Sequence, residues 1–170
     1  PWITGGRPSD TARARYDHRR NLGVQALDVV NLRVLMGDGH GTSEGSIEES
    51  FTALAELQRQ GLIRHLGVSN ATRAQVAQAR GIAKVVCVQN HYNLVYREEE
   101  REMLPLCRAE GIGVIPWSPL ARGFLAGNRR RQDQGETIRA RTDDYAHELY
   151  YADSDFTIAE RVVEVAAKRG

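Results

Sequence analysis

Lysine is nearly missing from this 170-residue chain, in which Lys84 and Lys168 are the only lysines among 23 Lys+Arg. The basic residues are balanced by 22 Asp+Glu, giving a formal net charge of +1. Such a balance excludes a polybasic nucleic-acid binder. Runs without a charged residue, such as Gly111 to Ala121, are too short to span a bilayer. We therefore expect neither a nucleic-acid partner nor a membrane partner.

Cysteine is also scarce, with Cys87 and Cys107 as the two examples. Neither forms a CxxC pair, and the five histidines show no HxH or HExxH spacing, so no metal site is predicted. Cys87 lies within an apolar run and is expected to be a buried, reduced thiol. Two such cysteines and the lack of a signal-peptide pattern favour a cytoplasmic protein.

Four short apolar runs alternate with helical patterns, and each run suits a buried parallel strand. The runs are Leu27 to Leu32, Ile63 to Val68, Val85 to Val88 and Gly113 to Trp117. Helices are predicted between them, the clearest beginning with the capping box Ser46 to Glu49 and ending at Gly61. A further helix over 98–110 contains Pro105, which predicts a kink or a late start. The order of elements favours an α/β fold with a parallel sheet.

The chain is expected to form a single domain over residues 1–170. Residues 1–8 are rich in glycine and proline and are predicted to be a loop. Residues 126–152 are predicted to form a long polar loop after the fourth strand, where loops of α/β barrels carry function.

Polar or aromatic side chains follow each apolar run and would meet at one edge of a parallel sheet. They are Arg33, Ser69, Asn70, Gln89, Asn90, Trp117 and Ser118. Amide and hydroxyl groups beside a flat aromatic ring suit a ligand such as nicotinamide, which carries a carboxamide on an aromatic ring. The alternative is that each residue satisfies its own strand end, with Asn70 capping the next helix. An open doubly wound sheet would bind at the same edge, but no GxGxxG or GxxxxGK[ST] follows a strand.

Three segments resemble the motifs of the aldo-keto reductase family, in the order and spacing of that family. Residues 61–70, GLIRHLGVSN, are similar to the signature GKIRHIGxSN. Residues 88–93, VQNHYN, resemble the segment xQxxYN, and residues 111–123, GIGVIPWSPLARG, resemble the seventh strand and its loop. The resemblance covers roughly residues 20–170.

This resemblance implies a partial (β/α)8 TIM barrel of about four strands, which binds NADPH or NADH and reduces a small aldehyde or ketone. Ser69, Asn70 and Gln89 match the positions that hold the nicotinamide carboxamide, and Trp117 matches the aromatic residue that stacks on the ring. The loop around the pyrophosphate is matched by Ser118, Pro119, Leu120, Arg122 and Gly123. Asn128 and Arg139 match further phosphate contacts of some members only weakly.

The departures from the family pattern concern catalysis. The tyrosine acid of the family, with its aspartate and lysine, belongs to strands that come before Leu27 to Leu32. Arg33 occupies the position of the family's histidine, and a guanidinium can donate hydrogen bonds but cannot relay a proton. We therefore expect Arg33 to be a substrate-pocket residue and this chain alone to be inactive. We also expect self-association through two open strand edges, Leu27 to Leu32 and Gly113 to Trp117.

Two other functions remain open. A cofactor-binding regulatory subunit of the same fold, without catalysis, is compatible with the Trp-Ser-Pro-Leu-Ala run. An unrelated barrel enzyme, such as an aldolase, would need a lysine at the carboxyl end of a strand, whereas Lys84 precedes its strand.

Overall fold

The computed structural model describes residues 2–4, 20–33, 46–127, 129, 131, 138 and 142–170. The chain divides into two compact units, and each is described by itself. Unit 1 comprises Pro1–Asn90 and Glu99–Ile115, and unit 2 comprises His91–Glu98 and Pro116–Gly170.

Unit 1 is a parallel sheet in which a helix lies between each pair of successive strands from the second strand to the fifth. The strands pair in chain order, β1-β2-β3-β4-β5. The elements are β1 (Trp2–Thr4), β2 (Leu27–Arg33), α1 (Ile47–Arg59), β3 (Ile63–Ser69), α2 (Arg73–Ile82), β4 (Val85–Gln89), α3 (Met103–Glu110) and β5 (Gly113–Val114). The four predicted strands and their parallel α/β arrangement are confirmed.

One buried cluster joins the helices of unit 1 to the sheet. Phe51 and Leu54 of α1 are fully buried with Val30, Leu66 and Val68 of the strands. Burying a side chain of this size contributes about 1.5–3 kcal/mol relative to leaving it exposed. The alternation of side chains along each strand places the intervening residues, with their polar groups, on the opposite face.

Local signals set the ends of the helices. The Ser46 hydroxyl accepts a hydrogen bond from the Glu49 amide at 3.1 Å, and the Glu49 carboxylate accepts one from the Ser46 amide at 3.0 Å. Gly61 follows α1 with a φ of 71°, in the left-handed region that favours glycine. Helix α3 begins at Met103, so Pro105 lies in its first turn, where its missing N–H removes no helical hydrogen bond. The late start is the alternative that the structure selects.

Four expectations about loops, strand edges and strand length need correction. Strand β1 lies within residues 1–8, which were predicted to be a loop, and it pairs with Asn31–Arg33 of β2. The edge of β2, which was expected to be open, is therefore paired with β1 at its last three residues. The fourth predicted strand is shorter than expected, since β5 covers only Gly113–Val114. Residues 126–152 contain a helix as well as loop.

Unit 2 has its own core. Its elements are a 3-10 segment (Ala121–Ala126), α4 (Asp144–Leu149) and α5 (Asp153–Arg169). The rings of Phe124, Tyr150 and Phe156 are buried in one cluster with Leu125 and Ala159. In the described part of the chain, no helix has the length and apolar character needed to cross a membrane.

Candidate functional site

Three of the predicted site residues lie side by side at the carboxyl ends of neighbouring strands. Arg33 of β2 is the register partner of Ser69 of β3, which is in turn the partner of Gln89 of β4. We call these three residues the strand-end row. Ser69 is buried, and Arg33 and Gln89 are half-buried. Residues paired across parallel strands point to the same face of a sheet, so the row combines a guanidinium, a hydroxyl and a carboxamide there.

Two side chains of the row, those of Ser69 and Gln89, have no hydrogen-bond partner among the described residues. Ser69 is 5% exposed. A buried hydroxyl without a partner is costly, so a ligand that supplies a hydrogen-bonding group at this edge would be stabilised by the row.

Asn70, the next predicted site residue, turns the chain out of β3. Its φ is 55°, a left-handed conformation that asparagine tolerates better than most residues. Its backbone N–H donates to the Gln89 carbonyl at 3.1 Å, which extends the pairing of β3 with β4. The cap of α2 is Thr72, whose side chain accepts from the Gln75 amide. The alternative in which Asn70 caps that helix is therefore wrong.

Two residues before the strand-end row on each strand lie Asn31, Gly67 and Cys87, which are packed closely together. The Cys87 thiol donates to Asn31 Oδ1 at 3.2 Å. A Cβ placed on Gly67 would lie 2.0 Å from Asn31 Oδ1 and 2.6 Å from Cys87 Sγ. Burial raises the pKa of the Cys87 thiol above its ordinary value, so this group is a hydrogen-bond donor and not a thiolate nucleophile.

In unit 2, the predicted stacking residue Trp117 belongs to a stack of three rings. The imidazole of His91 lies parallel to the Trp117 indole, with centroids 4.1 Å apart and an interplanar angle of 10°. On the other side of His91 lies Tyr96, with centroids 4.2 Å apart and an angle of 14°. We call Tyr96, His91 and Trp117 the aromatic stack. A bridge between His91 and Trp117 aligns their backbones in parallel.

The predicted pyrophosphate loop follows Trp117 and is built from left-handed residues. Ser118, Arg122 and Gly123 have φ values of 51°, 55° and 95°. Leu120 is 60% exposed, and Pro119 is exposed beside it. Short turns close the loop, since the Gly123 amide donates to the Leu120 carbonyl at 2.9 Å.

Arg122 is held by Asp143 through a bidentate ion pair. Its Nε donates to Asp143 Oδ2 at 2.9 Å, and its Nη2 donates to Asp143 Oδ1 at 2.9 Å. This carboxylate also accepts from the Ala146 amide at the start of α4, at 3.2 Å. A guanidinium has five N–H donors, and the pair with Asp143 uses one on Nε and one on Nη2. Asp143 therefore fixes the position of Arg122, and the other three N–H groups lie outside this ion pair.

Sequence reasoning missed the part played by His91 and Tyr150. His91 was treated as a histidine without a metal motif, and Tyr150 was not singled out. His91 and Tyr150 are 59 positions apart in the sequence, so no local sequence pattern predicts their contact. Asn128 and Arg139, the weak phosphate-contact predictions, lie outside the described residues.

Comparisons with known proteins agree on one family. The family model described as "Aldo/keto reductase family" matches residues 1–170. The chain is 52% identical over 123 residues to the Pyridoxine 4-dehydrogenase of Escherichia coli (strain K12), covering 72% of this chain and 42% of that protein. It is 44% identical over 132 residues to the Aldo-keto reductase dtxS3 of Metarhizium robertsii, covering 72% of this chain and 35% of that protein.

A solved structure extends the likeness to the fold. The glycerol dehydrogenase AKR11B4 from Gluconobacter oxydans superposes with a TM-score of 0.76 at 27% identity, covering 96% of this chain and 48% of that one. The chain therefore spans less than half the length of each of these three proteins. Its strands and helices correspond to part of a (β/α)8 barrel.

Proposed function

The chain belongs to the aldo/keto reductase family, and from that premise we propose that it supplies the nicotinamide-binding part of an NAD(P)H-dependent carbonyl reductase. The observation that carries this proposal is the strand-end row, where a buried hydroxyl and a half-buried carboxamide lie without partners among the described residues. The nicotinamide carboxamide has both a donor and an acceptor, which match such groups.

When bound, the nicotinamide supplies the hydride that reduces a carbonyl carbon. In this chain, Ser69 and Gln89 would hydrogen-bond the carboxamide and fix the orientation of the ring, with Asn70 beside them. For unit 2, the family resemblance implies that Trp117 would stack on the ring and that Arg122 would bind the pyrophosphate through N–H groups that Asp143 does not use. Pro119, Leu120 and Gly123 would shape the loop around that pyrophosphate.

Arg33 has a different role in this proposal. A guanidinium stays protonated at neutral pH, so it does not exchange a proton with a substrate. Its N–H groups would donate to the oxygen of a small carbonyl substrate, next to Ser69 in the strand-end row. Because the named relative is a pyridoxine 4-dehydrogenase, pyridoxine belongs in a substrate panel for this chain.

We also propose that the isolated chain binds cofactor without turning over substrate. In the family resemblance, the tyrosine that acts as the acid, with its aspartate and lysine, belongs to strands ahead of β2. None of the three residues of the strand-end row is expected to act as the acid in its place. The two buried cysteines carry no disulfide, which suits the reducing cytoplasm.

Calorimetric titration of the purified chain with NADPH tests the binding proposal. We expect saturable binding, with a loss of roughly three- to tenfold in affinity for Q89A, the typical effect of one hydrogen bond to a ligand. The matched control is Q78A, because Gln78 is exposed in α2, and it should bind as the unchanged chain does. Absence of binding, or equal affinities for Q89A and Q78A, would contradict the proposal.

Turnover is measured separately with NADPH and small aldehydes, and with NADP⁺ and pyridoxine. Binding without turnover is the expected result. Turnover above the blank would show that this chain holds a proton donor of its own, and the assignment of Arg33 would need revision. Cofactor binding without turnover in a longer protein that contains this segment would instead favour the regulatory subunit.

A further inference from the structure

The stack of Tyr96, His91 and Trp117 is fixed by hydrogen bonds at the edge of its central ring. His91 Nε2 lies 2.6 Å from the Tyr150 hydroxyl oxygen. Both residues are buried, with His91 8% and Tyr150 4% exposed. A buried histidine between two aromatic rings therefore has one defined orientation.

The direction of these hydrogen bonds follows from Asn93. Its Oδ1 accepts from the backbone amides of Val95 at 2.9 Å and Tyr96 at 2.8 Å. Its Nδ2 must then be the side that faces Tyr150, and it donates to the Tyr150 hydroxyl oxygen at 3.0 Å. The Tyr150 hydroxyl, which accepts from Asn93, donates its own proton to His91 Nε2. Asn93 Nδ2 also lies 3.2 Å from His91 Nε2. Because both neighbours of His91 Nε2 can donate, we assign His91 as a neutral imidazole with its proton on Nδ1.

The environment supports this assignment of protons. Burial lowers the pKa of His91 below its ordinary value. Burial also raises the pKa of Tyr150, which keeps its hydroxyl protonated as a donor at neutral pH. The other groups that act on Tyr150 are Arg122, Tyr145 and Asp155.

The same amide connects the network to the pyrophosphate loop. Asn93 Nδ2 also donates to the Ser118 carbonyl at 3.0 Å. Ser118 directly follows Trp117, so the backbone beside the indole and the ring stacked on the indole are both held by one polar group. Displacing His91 would remove the ring that stacks on the Trp117 indole and leave the Asn93–Ser118 hydrogen bond as the remaining attachment.

We propose that His91 is a positioning residue, which the hydroxyl of Tyr150 orients and which sets the plane of the Trp117 indole for stacking on a flat ligand ring. This inference rests on the proposed function for the identity of that ring, the nicotinamide of NADPH. The positioning itself concerns only residues of unit 2, and it is measurable without any ligand. A ligand ring stacked on the Trp117 indole contributes to binding affinity through the geometry of the ring pair as well as through the apolar area that it buries.

The experiment uses the W2F variant of the whole chain, which leaves Trp117 as the single tryptophan because the sequence has two. Near-ultraviolet circular dichroism then reports the immobilisation of the Trp117 ring. Three changes are compared in this background. H91L removes the flat ring, H91F keeps the ring but removes the Nε2 acceptor, and Y150F removes the hydroxyl. H65L is the matched control, because His65 is an exposed residue of β3.

We expect H91L to lose most of the Trp117 dichroism at neutral pH, whereas H65L retains it. H91F should retain a large part of the signal, since a phenyl ring still stacks, and Y150F should fall between the two. NADPH affinity should fall roughly three- to tenfold in H91L, as expected for the loss of one aromatic contact. The far-ultraviolet spectrum checks that each variant is folded. If H91L does not fold, the comparison of H91F and Y150F with the W2F chain tests the inference in its place.

The pH dependence separates positioning from simple packing. Acidification protonates His91, which removes the Nε2 acceptor and turns the Tyr150 hydroxyl away. Because burial lowers the pKa of His91, the Trp117 dichroism of the W2F chain should fall only at pH values below the ordinary titration range of histidine, and in H91F it should not change over the same range. Equal pH profiles for the two proteins, or an unchanged signal in H91L, would overturn the inference.

Failure of the two proposals can be told apart. If the chain does not bind NADPH but H91L loses the dichroism, the proposed function fails and His91 still positions Trp117. If the chain binds NADPH and H91L has the same dichroism and affinity, the inference about His91 fails while the proposed function stands.

Discussion

The Cys87 thiol donates a hydrogen bond to Asn31 Oδ1 at 3.2 Å across the backbone of Gly67. The three residues are register partners on β4, β2 and β3. A glycine between two buried polar side chains lets them meet, and this contact supports the strand-end row two residues farther along each strand.

Gly67→Ala should destabilise the chain by about 1–3 kcal/mol or more, the usual cost of overpacking a buried site. The added Cβ would lie 2.8 Å from the Cys87 backbone carbonyl, as well as against both side chains, so a side-chain rotation alone does not relieve the clash. Urea unfolding measures the change. Gly81→Ala is the control, since a Cβ there meets nothing within 4 Å and alanine favours the helix by roughly 0.5–1 kcal/mol. Equal effects of the two substitutions would contradict the packing described.

Both thiols should react slowly with a disulfide reagent in the native chain. Cys87 and Cys107 are buried, and burial raises the pKa of each thiol, so little thiolate is present at mildly alkaline pH. Absorbance at about pH 8 would show two thiols titrating rapidly only after denaturant is added. Fast labelling of either cysteine before denaturation would contradict its burial.

Asp143→Ala should lower the free energy of unfolding by about 1–3 kcal/mol, because it removes both the bidentate partner of Arg122 and the cap of α4. Asp143 is 8% exposed in its side chain and Arg122 is 25% exposed, so the pair is shielded from water. Asp144→Ala, in the first turn of the same helix, removes an exposed charge. Its loss should stay below about 1 kcal/mol, and chemical denaturation of the two variants compares them directly.

The stability of the chain should fall on acidification through His91. The folded pKa of this imidazole lies below its ordinary value, so the unfolded chain binds the proton first as the pH drops through about 6.5. The stabilisation is fully present above that pH and is lost progressively toward the lower folded pKa, at about 1.4 kcal/mol for each unit of difference. Unfolding curves of the unchanged chain and of H91F, recorded between about pH 5 and pH 7.5, test this. Parallel losses in the two proteins would show that His91 is not the responsible group.

Much of unit 1 could be predicted because its signals are local. The capping box of Ser46 and Glu49 and the glycine at position 61 mark α1 within a few residues of each other, and the structure confirms both ends. Apolar runs of four to six residues gave the strands, and the parallel order follows from their alternation with helices. Because Arg33, Ser69 and Gln89 each follow an apolar run, the sequence predicts that they lie together at one edge of the sheet, as the strand register shows.

The remainder depends on contacts that are distant in sequence. Strand β1 is only three residues long and lies in a segment rich in glycine and proline. Its residues favour a strand, but three residues are too few to form a recognisable pattern, and the strand is defined by its pairing with β2. The stacking of His91 on Trp117 brings together residues 26 positions apart in the chain. Neither the stacking of two rings nor the hydrogen bond between the Tyr150 hydroxyl and the His91 imidazole produces a periodic pattern in the sequence.

The central claim is that this chain presents Trp117 to the nicotinamide of NADPH, and tryptophan fluorescence tests it most directly. In the W2F chain, titration with NADPH should quench the emission saturably, with energy transfer to the reduced ring as a second signal. The account predicts that NADPH quenching is weakened when Gln89 is changed to alanine and is unaffected when Gln78 is changed. Emission that stays constant over the whole titration, or quenching that is equal in both variants, would contradict it.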